Sequence, residues 1–86
     1  MVYKVFYKSS VKKDLEKIPK IEVGKILIKI ENELSKNAES YPPLKGKFAG
    51  LRRIKIGVYR AVFAIVGEEV FVLRIGHRSA VYKGKS

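Results

Sequence analysis

The chain has 86 residues and a formal net charge of +11, from 19 Lys and Arg against 8 Asp and Glu. That length suits one domain over residues 1–86 with one modest core, and the lack of cysteine with a single histidine excludes disulfides and the usual Cys/His zinc cluster. No apolar run is long enough to span a bilayer and the first ten residues alternate rather than form a signal-peptide core, so the expected compartment is the cytoplasm.

Val2 to Tyr7 reads as a strand, with Val2, Lys4 and Phe6 on one face and Tyr3, Val5 and Tyr7 on the other. Both faces carry apolar bulk, which predicts a well-covered strand. Ser9 and Ser10 offer N-cap oxygens to a helix whose stripe is Val11, Leu15 and Ile18. Pro19 ends it, because the residue before a proline is pushed out of the helical region. A second helix starts near Lys20, runs on Val23, Ile26, Leu27, Ile30 and Leu34, and stops at Asn37.

Residues 37–50 form a connection broken by Pro42, Pro43, Gly46 and Gly50. Three strands follow: Leu51 to Ile56, Val58 to Val66, and Val70 to Ile75. Gly57 and Gly67 mark tight turns between them, and Gly76 ends the last. The order β-α-α-β-β-β predicts an α+β fold. An antiparallel sheet carries the N-terminal helix hairpin on one face and leaves the other open for function.

The positive charge is concentrated late in the chain. Residues 44–86 carry ten basic residues against two acidic, and between Glu39 and Glu68 there is no acid while Lys45, Lys47, Arg52, Arg53, Lys55 and Arg60 fall there. Such a block attracts a polyanion, since each phosphate neutralised releases counterions; a merely solvated basic face is the alternative. Arg53 and Lys55 point the same way, and a short hairpin brings Arg60 near Lys55. His77, Arg78 and Tyr82 follow the last strand, so the topology predicts convergence on one edge of the open face.

A cluster of cations suits a phosphodiester, whose transition state carries extra negative charge. Arginine clamps phosphate through its planar fork but does not act as a base, which leaves Lys55, His77 and Tyr82 for proton transfer. Tyr59 alternates with Ala61, Phe63 and Ile65 and reads as core. Each cation has a plainer reading: Arg53 and Lys55 as solvated strand residues, Arg60 as a partner of Glu68 or Glu69, Tyr82 as an anchor for the tail.

The runs Leu44-Lys45-Gly46, Leu51-Arg52-Arg53-Ile54-Lys55-Ile56 and Tyr59-Arg60-Ala61-Val62-Phe63, then Glu69-Val70-Phe71-Val72-Leu73 and Gly76-His77-Arg78-Ser79-Ala80-Val81-Tyr82, resemble in order and spacing the RelE/ParE toxin superfamily. The resemblance spans almost the whole chain. It implies a RelE-like fold as read above. It also implies a toxin of a type II toxin–antitoxin system that cuts mRNA in the ribosomal A site, a metal-independent endoribonuclease (an mRNA interferase) that inhibits translation and needs no cofactor. Carried over by position, Arg53, Lys55, Arg60, Arg78 and Tyr82 match the active set. Arg60 and Arg78 would hold the phosphate, and Lys55 and Tyr82 would move protons or stack on a base. Arg53 stands where lysine is frequent and contributes charge alone, and His77 is positioned to share the acid role. Lys45, Lys47, Arg52, Arg74 and Lys83 would widen the surface for RNA and ribosome. The implied partners are an acidic, RelB-like antitoxin, the ribosome and mRNA, with no membrane and no metal. Two alternatives stand beside this reading: a ParE-type inhibitor of DNA gyrase without chemistry of its own, and a plain nucleic-acid-binding module.

Overall fold

A computed structural model describes residues 2–81. Strand β1 (Lys4–Tyr7) is followed by helices α1 (Ser9–Glu16) and α2 (Lys20–Asn37). Two short 3-10 turns, Ala38–Ser40 and Gly46–Phe48, lead to β2 (Arg52–Ile56), β3 (Tyr59–Val66) and β4 (Glu69–His77). The order of elements is the expected one, and the sheet runs β1-β4-β3-β2.

The hairpins form where glycine allows them. Gly57 and Gly67 both have a φ of 61°, while no other residue type among those described has positive φ. A glycine in the first central position with an ordinary second residue is the pattern of a type II′ turn, whose twist matches that of the flanking strands. The registers Ile56↔Tyr59 and Val66↔Glu69 follow from these two-residue loops.

One expectation is corrected. The sheet is mixed, not antiparallel, because β1 pairs with β4 in parallel, Lys4↔Glu69 through Tyr7↔Val72. Strands β2 and β4 run the same way, and β1 docks beside β4 in that direction. Long-range packing decides this placement, with Tyr3 buried in the core and Val5 packed against it. As an edge strand β1 is covered on one face only, so Phe6 is 43% exposed and Val2 77%, against the expected full cover.

Ser9 and Ser10 do not cap α1. The ladder continues past β1, with Lys8 N–H donating to Val72 O at 2.9 Å, so Lys8 stays extended and holds the N-cap position. Ser10 lies inside the helix, and its hydroxyl donates to Leu73 O across to β4. Pro19 separates the helices as predicted, and α2 buries Ile26, Ile30 and Leu34.

These side chains meet Val11, Ile54, Ala61, Phe63, Val70, Val72 and Ile75 in one core cluster. Each fully buried aliphatic or aromatic side chain contributes about 1.5–3 kcal/mol. Two tyrosines fasten the rim to α2. Tyr7 donates to Glu31 and Tyr41 to Glu33, both at 2.7 Å. Burial first, then the carboxylate acceptor, pushes the Tyr41 phenol up to about 12 and raises that of Tyr7 as well. No described helix is long and apolar enough to cross a membrane.

Candidate functional site

The register sorts the strand residues by face. Ile54, Ala61 and Ile75 lie in line across β2, β3 and β4 and are buried beneath the helices. Their neighbours therefore belong to the open face. Arg53 pairs with Val62, and Lys55 pairs with Arg60, which in turn faces Gly76. Arg53, Lys55 and Arg60 thus share one surface, with Lys55 directly opposite Arg60.

None of the three is in an ion pair, since Arg74–Asp14 is the only one among the described residues. Arg60 does not pair with Glu68 or Glu69. Its guanidinium folds back on the hairpin, donating to Gly57 O at 2.8 Å and Tyr59 O at 2.9 Å. The turn that aligns the hairpin therefore also fixes its cation. Arg78 follows β4 at the same end of the sheet, anchored by its N–H to Val58 O at 2.7 Å and otherwise exposed. Tyr82 and Lys83 lie outside the described residues.

Other predicted residues go elsewhere. Arg52 pairs with Phe63 and so belongs to the helix-covered face, where its guanidinium donates to the carbonyls of Glu39 and Tyr41. It holds the connection after α2 rather than joining Arg53 and Lys55. Lys45 and Lys47 are exposed in and beside the Gly46–Phe48 turn. Arg74 is bound to Asp14, with Nε–Oδ2 at 3.0 Å and Nη2–Oδ1 at 3.3 Å.

His77 shares the end of the sheet but not the face. It pairs with Tyr59, one step beyond the Arg60↔Gly76 pair, and the two rings meet edge to face at 6.1 Å. The Ser79 N–H donates to its Nδ1 at 3.1 Å, and Ser79 Oγ lies 2.8 Å from the same nitrogen. A backbone N–H only donates, so Nδ1 is the acceptor. Nε2 has no protein partner among the described residues.

Two features carry no mark in the sequence. Asp14 is the one buried charged residue among those described, and it accepts from Arg74 and from Ile75 N–H at 3.0 Å. With Ser10 it clamps α1 to the bulge where β4 slips against β3 at Val62/Phe63. The second is a cavity of about 290 Å³ between α1, the end of β4 and the turn after it, lined in part by Lys17, Ile18, Tyr59, His77 and Val81. Tyr59 packs against the core as expected and also forms a wall of this cavity.

Comparison with known proteins agrees with this architecture. A chain of the toxin–antitoxin complex RelBE2 of Mycobacterium tuberculosis shares 27% identity with a TM-score of 0.84, over 92% of this chain and 94% of that one. A chain of the archaeal RelE–RelB complex of Pyrococcus horikoshii shares 23% with a TM-score of 0.71, over 94% and 100%. One from the chromosomal ParDE system of P. aeruginosa shares 17% with a TM-score of 0.69, over 88% and 96%. The last two speak for the fold alone. No curated protein matches the sequence significantly. The model of the ParE toxin family, the toxins of the parDE type II toxin–antitoxin system, matches residues 5–82. With nearly its whole length matched, the chain belongs to the ParE toxin family, within the RelE/ParE superfamily of type II toxin–antitoxin systems.

Proposed function

We propose that this toxin is an endoribonuclease that cuts mRNA on the ribosome and is held inactive by an acidic antitoxin. The observation that carries the reading is the open-face cluster. Arg53, Lys55 and Arg60 stand together without a carboxylate partner among the described residues, and Lys55 faces Arg60 directly. Like charges placed opposite each other on a sheet cost stability, so a gain elsewhere maintains them; binding a polyanion supplies it. The likeness to the mycobacterial RelBE2 chain supports the same branch.

In this reading the RNA 2′-hydroxyl oxygen attacks the adjacent phosphorus and the bond to the 5′-oxygen breaks. A cyclic phosphate and a 5′-hydroxyl result. Arg53, Arg60 and Arg78 hold the added negative charge of the phosphorane, the state in which preorganised cations act most strongly. Lys55 and Tyr82 handle the two protons, one leaving the 2′-hydroxyl and one reaching the 5′-oxygen. Lys45 and Lys47 extend the grip along the RNA backbone, as does Lys83 by charge, while Arg52 is engaged by the carbonyls of Glu39 and Tyr41 and Arg74 by Asp14. The antitoxin is RelB-like, by the likeness to the mycobacterial RelBE2 chain, and an acidic one complements the +11 charge of this chain.

A second reading follows from the ParE model match: a protein-binding inhibitor of DNA gyrase with no chemistry of its own. Primer extension on message in a translation extract decides between them, with Arg60→Ala and Tyr82→Phe as controls. Cuts confined to translated message and lost in Arg60→Ala establish the nuclease. Intact message with inhibited DNA supercoiling establishes the gyrase inhibitor.

A further inference from the structure

We infer that the cavity beneath the end of the sheet is a binding pocket for one nucleobase of single-stranded RNA, next to the phosphate held by Lys55 and Arg60. The inference rests on the RNA-cutting reading and assigns a second subsite to it. At about 290 Å³ the cavity lies at the small end of ligand pockets, which run to roughly 300–1,000 Å³, so it fits one planar ring system.

Its lining has the two things a nucleotide needs. Tyr59 and His77 present aromatic surface, their rings 6.1 Å apart and nearly perpendicular, beside the apolar walls of Ile18, Ile75 and Val81. Polar groups stand among them. Nδ1 of His77 is taken by Ser79, which leaves Nε2 for a base edge. Asp14 is satisfied by Arg74 and Ile75 N–H, so Lys17 is the cation of the lining with no partner among the described residues.

Position links the cavity to the cations. The pair Tyr59↔His77 adjoins Arg60↔Gly76, and Arg60 faces Lys55. Successive strand residues alternate faces, so the cavity and the cationic surface meet where the sheet ends. A strand of RNA turning round that end sets a phosphate on the open face and its neighbouring base in the cavity. Splayed, unstacked bases held against aromatic side chains are how proteins read single-stranded RNA.

The test is nuclear magnetic resonance of the full isotope-labelled chain titrated with 5′-AMP, 5′-CMP and inorganic phosphate. The nucleotides are expected to shift the amide signals of Lys17, Tyr59 and His77, and phosphate alone is not. Tyr59→Leu is expected to weaken nucleotide binding about tenfold, as loss of a stacking ring does, and Lys17→Ala about threefold. Thermal melts of both variants confirm that they fold. Shifts confined to Lys55, Arg60 and Arg78 overturn the pocket, as does unchanged affinity in both folded variants. RNA cleavage is measured on the same samples. Binding without cleavage supports the pocket and removes the nuclease reading, and cleavage without pocket shifts does the reverse.

Discussion

Lys55 and Arg60 are direct cross-strand partners on β2 and β3, two cations side by side with no acid among the described residues paired to either. Opposite charges at such positions stabilise a sheet and like charges destabilise it, by about 0.2–1 kcal/mol. The pair therefore exposes a conflict between folding and function.

Replacing Lys55 with threonine is expected to raise stability by up to about 1 kcal/mol, since repulsion is relieved and a β-branched residue fits the strand. The same change is expected to abolish the proposed RNA cleavage. Urea denaturation and the primer-extension assay read the two effects on one sample. A variant less stable than the parent would refute the charge argument.

Asp14→Ala removes the acceptor of a buried N–H and the partner of Arg74. The expected loss is about 2–3 kcal/mol, below the full value for a buried pair because the Arg74 side chain is 43% exposed. Asp14→Asn keeps an acceptor for Ile75 N–H and is expected to lose about half as much. Equal losses in the two variants would mean that the charge, and not the acceptor, holds the clamp.

Gly57→Ala tests the hairpin that carries both cations. A Cβ there meets nothing within 4 Å, so the cost is conformational alone, about 1–3 kcal/mol for an L-residue at a φ of 61°. Gly57→Asn is expected to cost less, because asparagine is among the residues such turns accept. Thermal unfolding of both variants ranks them.

Stability is expected to fall as pH rises above about 10. The Tyr41 phenol ionises near 10 in the unfolded chain and at about 12 in the folded one, so the unfolded state sheds its proton first and gains from alkali. Below 10 both states keep the proton and the contribution is whole. Tyr41→Phe is expected to flatten the decline between pH 10 and 12 in denaturation curves, and an unchanged slope would assign it to other groups.

Much of this architecture is legible in the residues. The spacing of Ile26, Ile30 and Leu34 makes α2, Pro19 divides the helices, and Gly57 and Gly67 fix the hairpins and with them the Lys55–Arg60 pairing. The partner of β1 is not legible, because no local signal selects an edge 65 residues away in sequence. Nor is the side taken by His77. Counting by twos from Val72 sends it to the open face, but the extra residue of the bulge in β4 shifts the alternation, so Ile75 is buried and His77 lies with Tyr59. The clamp at Asp14 escapes for a related reason: an acid on a short basic helix looks solvated until the bulge brings Arg74 and Ile75 to it.

The parallel pairing of β1 with β4 also sets a schedule. The strand made first takes its place only beside the strand made last, so a chain still being synthesised holds Val5 and Phe6 without their partners Val70 and Phe71. Long-range strand pairing and parallel strands are slow to form, because loop closure precedes the contacts that reward it. The hairpin that carries Lys55 and Arg60 is local and can form earlier. Completion of the sheet, however, waits until β4 is made, 65 residues behind β1, so that β1 spends the interval as an unpaired strand.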